Sequence, residues 1–224
     1  SLNFNKGVST SCSLSSIKLN LGLVGWYPFC GNANDQSKFQ FDGVGKNLVL
    51  TNDRFGNRNS AYFFNGKDSK IDISNDSLPQ NNNSRTITFW FKHLGDNDVK
   101  KQQQIVGYGP ISRNKRFSNL IWPNYRNNMS VIFEGDGIEA DEIKDTLWHH
   151  ISTTYDGDTG KIFIDGILSI KSLKNINTVG NNFQIGYNGT STHHSGEYFM
   201  GVIDDVGIWN RALTNSEITT LYSG

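Results

Sequence analysis

From about residue 21 onward this chain is a series of short runs of apolar and polar residues, separated by turn signals. Trp148, His150, Ser152 and Thr154 alternate with His149, Ile151, Thr153 and Tyr155. That is the period-two pattern of a strand whose side chains point to opposite faces. Similar runs predict strands over residues 23–29, 61–64, 70–73, 86–92, 103–107, 117–121, 129–133, 148–155, 161–164, 167–172, 183–186 and 198–209. Asp165-Gly166, between two of them, is a two-residue hairpin signal. One helix is predicted, over residues 214–222, where Thr214 and Glu217 three residues later make a capping box. Residues 1–20 are polar and Ser-rich and read as a linker or lead-in, with one edge strand near residues 17–19. A single domain then spans 21–224. About a dozen strands with no repeat and no mid-chain linker predict an all-β fold: a two-sheet antiparallel sandwich with one short C-terminal helix.

Composition sharpens this. The 224 residues include 23 glycines, 4 prolines and 12% aromatics, enough for many turns and a large core. Lys plus Arg equals Asp plus Glu at 21 each, which argues against a general nucleic-acid binder. No apolar run approaches the roughly 18 residues of a membrane span, so no membrane insertion is expected. No signal peptide is visible, and a start at Ser1 without Met reads as a fragment of a longer protein. Cys12 and Cys30 suit a disulfide in an oxidising compartment, or two buried free thiols.

The last predicted strand raises a question of charge. A regular strand puts Val202, Asp204, Val206 and Ile208 on one face and Ile203, Asp205, Gly207 and Trp209 on the other. Adjacent carboxylates in so apolar a strand need a partner. One reading is Ca²⁺, which takes six to eight hard oxygens. The loop at residues 31–35 offers Asn32, Asn34, Asp35 and backbone carbonyls to complete such a site. The other reading makes Asp35 a turn former and pairs Asp204 with an arginine.

Three blocks resemble a known family. They are Gly22-Leu-Val-Gly-Trp-Tyr-Pro-Phe29 with its sequel through Asp53-Arg-Phe-Gly-Asn57 and Ala61-Tyr-Phe-Phe-Asn-Gly66, residues 147–166, and residues 201–222. In this order they are similar to laminin-G-like, concanavalin A-like domains over about residues 21–222. The resemblance implies a jelly roll of two antiparallel sheets. It also implies a structural Ca²⁺ between the first-strand loop and the last strand. Carried over, the ligands are Asp35 and one of Asp204 or Asp205, with a carbonyl of Gly31 or Asn34.

Two segments suit a saccharide, which needs an aromatic platform with planar polar groups around it. Residues 108–128 hold Arg113, Lys115, Arg116, Trp122, Tyr125 and Arg126 and no acidic residue, a local charge of +4. That composition points to an anionic glycan. The alternative is a solvated loop whose Trp122 plugs the sandwich edge. Residues 187–198 hold Tyr187, Asn188, His193 and Tyr198 in a polar, lectin-like loop. His149 and His150 are neighbours on a strand, face opposite ways and read as packed, hydrogen-bonded residues rather than a shared site.

Catalysis is not expected. The nearest match to a glycosidase carboxylate pair is Glu134-Gly-Asp136, and the residues after it, 138–142, read as a turn. The expected function is a non-catalytic carbohydrate-binding module of a secreted or cell-surface protein, monomeric by itself, with a polysaccharide or glycan as partner. The alternative is a protein-binding adhesion or structural domain.

Overall fold

The computed structural model describes residues 12, 14, 16–94, 102–122, 128–132, 137–143, 145–187 and 198–224. Tyr125, Arg126, Asn188, His193, Glu134 and Asp136 lie outside them. Fifteen strands form two antiparallel sheets among the described residues. In chain order they are β1 (Leu23–Tyr27), β2 (Val44–Lys46), β3 (Val49–Thr51), β4 (Ala61–Asn65), β5 (Lys70–Ser74), β6 (Arg85–His93), β7 (Gln103–Tyr108), β8 (Phe117–Trp122), β9 (Asn128–Ile132), β10 (Gly137–Glu142), β11 (Trp148–Tyr155), β12 (Thr159–Ile164), β13 (Ile167–Leu173), β14 (Asn182–Ile185) and β15 (Met200–Trp209). The eight-stranded sheet runs β13-β12-β11-β6-β15-β4-β3, with β1 also on β15; the seven-stranded sheet runs β10-β9-β8-β7-β14-β5-β2.

Alternation places the core. Ile87, Phe89 and Phe91 of β6 and Ile151 and Tyr155 of β11 face Ile71, Ile73, Val106, Tyr108, Phe117, Phe183 and Ile185 of the other sheet, all essentially inaccessible. Arg85 is also buried there, donating to Tyr108 Oη at 2.7 Å and to the carbonyls of Asn81 and Asn83 at 2.7 and 2.8 Å. Burial raises the Tyr108 pKa to about 12, so its phenol stays protonated beside the guanidinium.

A second apolar layer covers the outer face of the eight-stranded sheet. Helix α2 (Asn215–Ser223) lays Ile218 and Leu221 on Trp209, Phe163 and Trp26, with Leu19 and Leu213 beside them. This explains why β6, β11 and β15 are buried on both faces. Thr214 caps the helix and Glu217 returns the bond to the Thr214 N–H, completing the expected capping box.

Four expectations are corrected. Residues 17–19 are not an edge strand but part of the one-turn helix α1 (Ile17–Asn20), whose Leu19 carbonyl accepts from Trp209 Nε1 at 2.6 Å. The packed unit therefore reaches back past residue 21. Strands β2 and β3 went unpredicted because three-residue, largely exposed edge strands carry no periodicity. Residues 138–142 are not a turn: they belong to edge strand β10, with Ile138 and Ala140 buried and Glu139 and Asp141 out. Finally, β15 is not regular. Asp204 pairs with Trp90 and Gly207 with Thr88, so one extra residue sits in a bulge where Asp205 adopts φ 46°. The bulge resets the alternation and turns Val206 and Ile208 into the core beside Ile203.

Cys12 and Cys30 form a disulfide with Cα atoms 6.0 Å apart, which ties the lead-in to the end of β1. No helix among the described residues is long and apolar enough to cross a membrane.

Candidate functional site

The outer face of the seven-stranded sheet is polar where its inner face is apolar. Asp72, Gln184, Gly107 and Ser118 are paired across β5, β14, β7 and β8 and form one row directed away from the core. Gly107 has no side chain in this row, and Ser118 packs into the space that a Cβ there would take. Around Gly107 the side chains are linked. Lys70 Nζ lies 2.5 Å from Asp72 Oδ2, and Gln184 Nε2 donates to Asp72 Oδ1 at 3.1 Å. Arg116 Nη2 donates to Gln104 Oε1 at 2.8 Å and Arg116 Nε to Ser118 Oγ at 2.9 Å. Gln104 Nε2 in turn donates to the Tyr187 carbonyl at 2.6 Å.

Aromatic rings complete this surface. Tyr187 and Tyr198 stack with centroids 4.5 Å apart and planes 23° apart. Lys70 Nζ sits 5.2 Å from the Tyr187 ring centre. Its bond to Asp72 is the main reason its pKa is raised, so the ammonium stays charged beside the rings. Lys70, Asp72, Tyr187 and Tyr198 are partly exposed, whereas Gln104, Gln184 and Arg116 are buried beneath them. The arrangement offers ring faces for C–H groups, with a cation and a carboxylate for hydroxyls.

Arg116, Tyr187 and Tyr198, predicted on two separate segments, thus meet on one face. Arg116 supports the site from below instead of reaching solvent. Arg113 is exposed at the β7–β8 turn, and Trp122 ends β8 partly exposed, its indole N–H without a partner among the described residues. Among the described residues, no hydrogen bond or ring contact joins either to the tyrosine pair. Lys70, Asp72, Gln104 and Gln184 were missed. Their signal was the polar half of the alternation in Lys70-Ile-Asp-Ile73 and Phe183-Gln-Ile185, which reads equally as a plain solvated face.

The residues expected to bind calcium have partners within the protein. Asp204 and Asp205 share one cation, Arg54, whose Nη1 lies 3.2 Å from Asp204 Oδ2 and 2.7 Å from Asp205 Oδ2. Burial and the Asp205 charge push the Asp204 carboxyl well above its usual range, and Arg54 pulls it back. Asp35 accepts four bonds: from the N–H groups of Trp26, Ser37 and Phe41 and from the Ser37 hydroxyl, at 2.8–3.0 Å. It is the turn former of the second reading. Asn34 N donates to Asn32 Oδ1, and Gly31 N to the carbonyls of Phe29 and Asn59. Among the described residues no three His, Cys, Asp or Glu side chains stand close enough to hold a metal. His149 and His150 do point apart: His149 bonds Asp165 and Asp145, and His150 packs on Trp90.

A jelly-roll sandwich with a polar, ring-flanked outer face defines a lectin-like class of domain. The chain belongs to the laminin-G-like family of the concanavalin A-like lectin/glucanases superfamily, whose family model matches residues 65–219. No curated protein sequence matches it. Among solved structures it is similar to domain 4 of AbnA, a GH43 extracellular arabinanase from Geobacillus stearothermophilus, in complex with arabinotriose. The identity is 19% and the TM-score 0.68, over 89% of this chain and 98% of that one. It is also similar to the botulinum neurotoxin serotype D binding domain, at 15% identity and TM-score 0.69, over 92% of this chain. The binding domain of Paraclostridial Mosquitocidal Protein 1 matches at 19% identity and TM-score 0.69, over 91% of this chain. This chain spans about half of each toxin domain (52%). At these identities the likeness is one of fold.

Proposed function

We propose that this domain is a non-catalytic carbohydrate-binding module of a secreted or cell-surface protein, and that it takes its saccharide on the outer face of the seven-stranded sheet. The observation that carries the reading is the stacked Tyr187–Tyr198 pair beside the Lys70–Asp72 ion pair. Rings supply a platform for sugar C–H faces, and the fixed carboxylate and ammonium select hydroxyl geometry. The family and the arabinotriose-bound neighbour support a saccharide. The Cys12–Cys30 disulfide supports an oxidising, extracellular setting. Lys46 and Lys70 on this face, with Arg113 and Lys115 at the β7–β8 turn, extend the reading to acidic polysaccharides.

Calorimetric titration with arabino-oligosaccharides and with oligogalacturonates tests both parts. Binding that Tyr187→Ala or Tyr198→Ala abolishes supports the site, and preference for the acidic series supports the charge assignment. The likeness to toxin binding domains favours one second reading, a protein receptor. A blank glycan array with retained cell-surface adhesion would select it.

A further inference from the structure

The opposite face of the sandwich holds a cavity that the proposed saccharide surface does not use. It measures about 320 Å³ and is lined by Arg54, Phe55, Trp90, Trp148, Asp165 and Tyr222, beside the last turn of α2. Two strands, a hairpin turn, a loop and a helix converge to build it. Trp90 rises from the outer face of β6 and Trp148 from that of β11. Asp165 sits in the β12–β13 hairpin turn, and Tyr222 stacks on Trp90 with centroids 5.7 Å apart and planes 18° apart. Two rings flank the mouth: Phe55 is 55% exposed and Tyr222 40%.

The polar groups of this cavity are fixed but not saturated. The Arg54 guanidinium lies between the Phe55 and Trp90 rings, 4.3 and 4.5 Å from their centroids. Its side chain is only 10% exposed, and both of its bonds, to Asp204 and Asp205, use Nη1. Among the described residues, Nε and Nη2 have no partner, and neither has the Trp148 indole N–H or the Tyr222 hydroxyl. Asp165 accepts one bond on each oxygen, from His150 N and from His149 Nδ1, and keeps lone pairs to spare.

These features select the ligand. Arg54 already fills the cation position over the aromatic rings, which excludes a cationic guest. Asp165 lines the cavity and Arg54 is already shared by Asp204 and Asp205, which disfavours an anionic one. The volume stands at the lower end of the range for ligand pockets, about 300–1,000 Å³, and suits one ring-sized group rather than a chain. Unpartnered donors and a carboxylate among indole and phenol faces suit a neutral polyhydroxylated ring. We infer that this cavity is a second saccharide subsite, which takes one uncharged sugar ring or the terminal unit of a neutral glycan. The inference rests on the reading of the domain as a saccharide binder, but on different residues.

Indole N–H signals in ¹⁵N-labelled protein test it, with arabinose, galactose, glucose and arabinotriose as probes at millimolar concentration. The Trp148 signal should shift and saturate with at least one neutral sugar. Tyr222→Ala should weaken that saturation about three- to tenfold, the size of one lost ring contact. Tyr187→Ala on the other face should leave it unchanged. A Trp148 signal unmoved by every probe, while Tyr187-dependent binding is seen, overturns this subsite and leaves the first reading standing. A Trp148 shift abolished by Tyr187→Ala also overturns it. A Trp148 response that survives when no Tyr187-dependent binding is found supports the subsite and removes the first surface.

Discussion

Arg54 Nη1 lies 2.7 Å from Asp205 Oδ2, across 151 residues of chain. The same nitrogen reaches Asp204, so one guanidinium balances the β15 bulge. Arg54→Met leaves two buried carboxylates without a counter-charge and should destabilise the fold by about 3–5 kcal/mol at pH 7. The pH dependence follows from linkage. In the variant the folded-state pKa of Asp204 lies still further above its unfolded value. Such a group favours folding below the unfolded pKa and loses that contribution as pH rises through the folded one. Urea denaturation at pH 7 and pH 4 should therefore show the deficit shrinking in acid. An equal deficit at both would refute this account.

Removal of calcium should leave the melting temperature unchanged, because Arg54 and backbone N–H groups already occupy the carboxylates expected to bind it. Asp35→Ala, by contrast, strips the bonds to Trp26, Ser37 and Phe41 and should cost about 2–4 kcal/mol, with no rescue by added Ca²⁺. Thermal unfolding with EDTA and with excess Ca²⁺ distinguishes the two causes. A fall in melting temperature with chelator would restore the metal.

The pKa values of His149 and His150 are shifted in opposite directions. Asp165 above all, then Asp145, raises the His149 pKa above 6.5. Its contribution to stability is complete below 6.5 and is lost as pH rises through the folded pKa. Burial lowers the His150 pKa from 6.5 to about 3, with the Arg54 charge adding to the effect. Its contribution is complete above 6.5 and is lost as pH falls toward 3. Proton NMR of the ring signals checks this: His149 should titrate above 6.5, and His150 should stay neutral down to strongly acidic pH.

Reduction of Cys12–Cys30 should lower stability by about 3 kcal/mol, the loop-closure value for a loop of this size. The Cys12→Ser, Cys30→Ser variant should reproduce the loss in denaturant titrations. No change on reduction would mean that the lead-in gains its order from α1 alone.

The sandwich was legible because most strands carry their own alternation and α2 carries its own capping box. What was not legible depended on partners distant in sequence. Asp205 reads as an ordinary strand position until the Asp204–Trp90 and Gly207–Thr88 pairings show the extra residue. Arg54 sits in a turn with nothing local to mark it as the counter-charge of β15. On the candidate saccharide face, Tyr187, Tyr198 and Arg116 stood out as chemistry. Lys70, Asp72 and Gln184 did not, since only sheet order brings β5, β14, β7 and β8 side by side.

The pairing of β1 with β15 has a consequence for how this domain is connected. The Leu19 carbonyl meets Trp209, and those of Lys18 and Leu21 meet Arg211. Residues 18–21 and 209–211 therefore lie together on the eight-stranded side. A fold whose first and last strands pair in this way accepts insertion into a host loop like a cassette, with its seven-stranded face unobstructed.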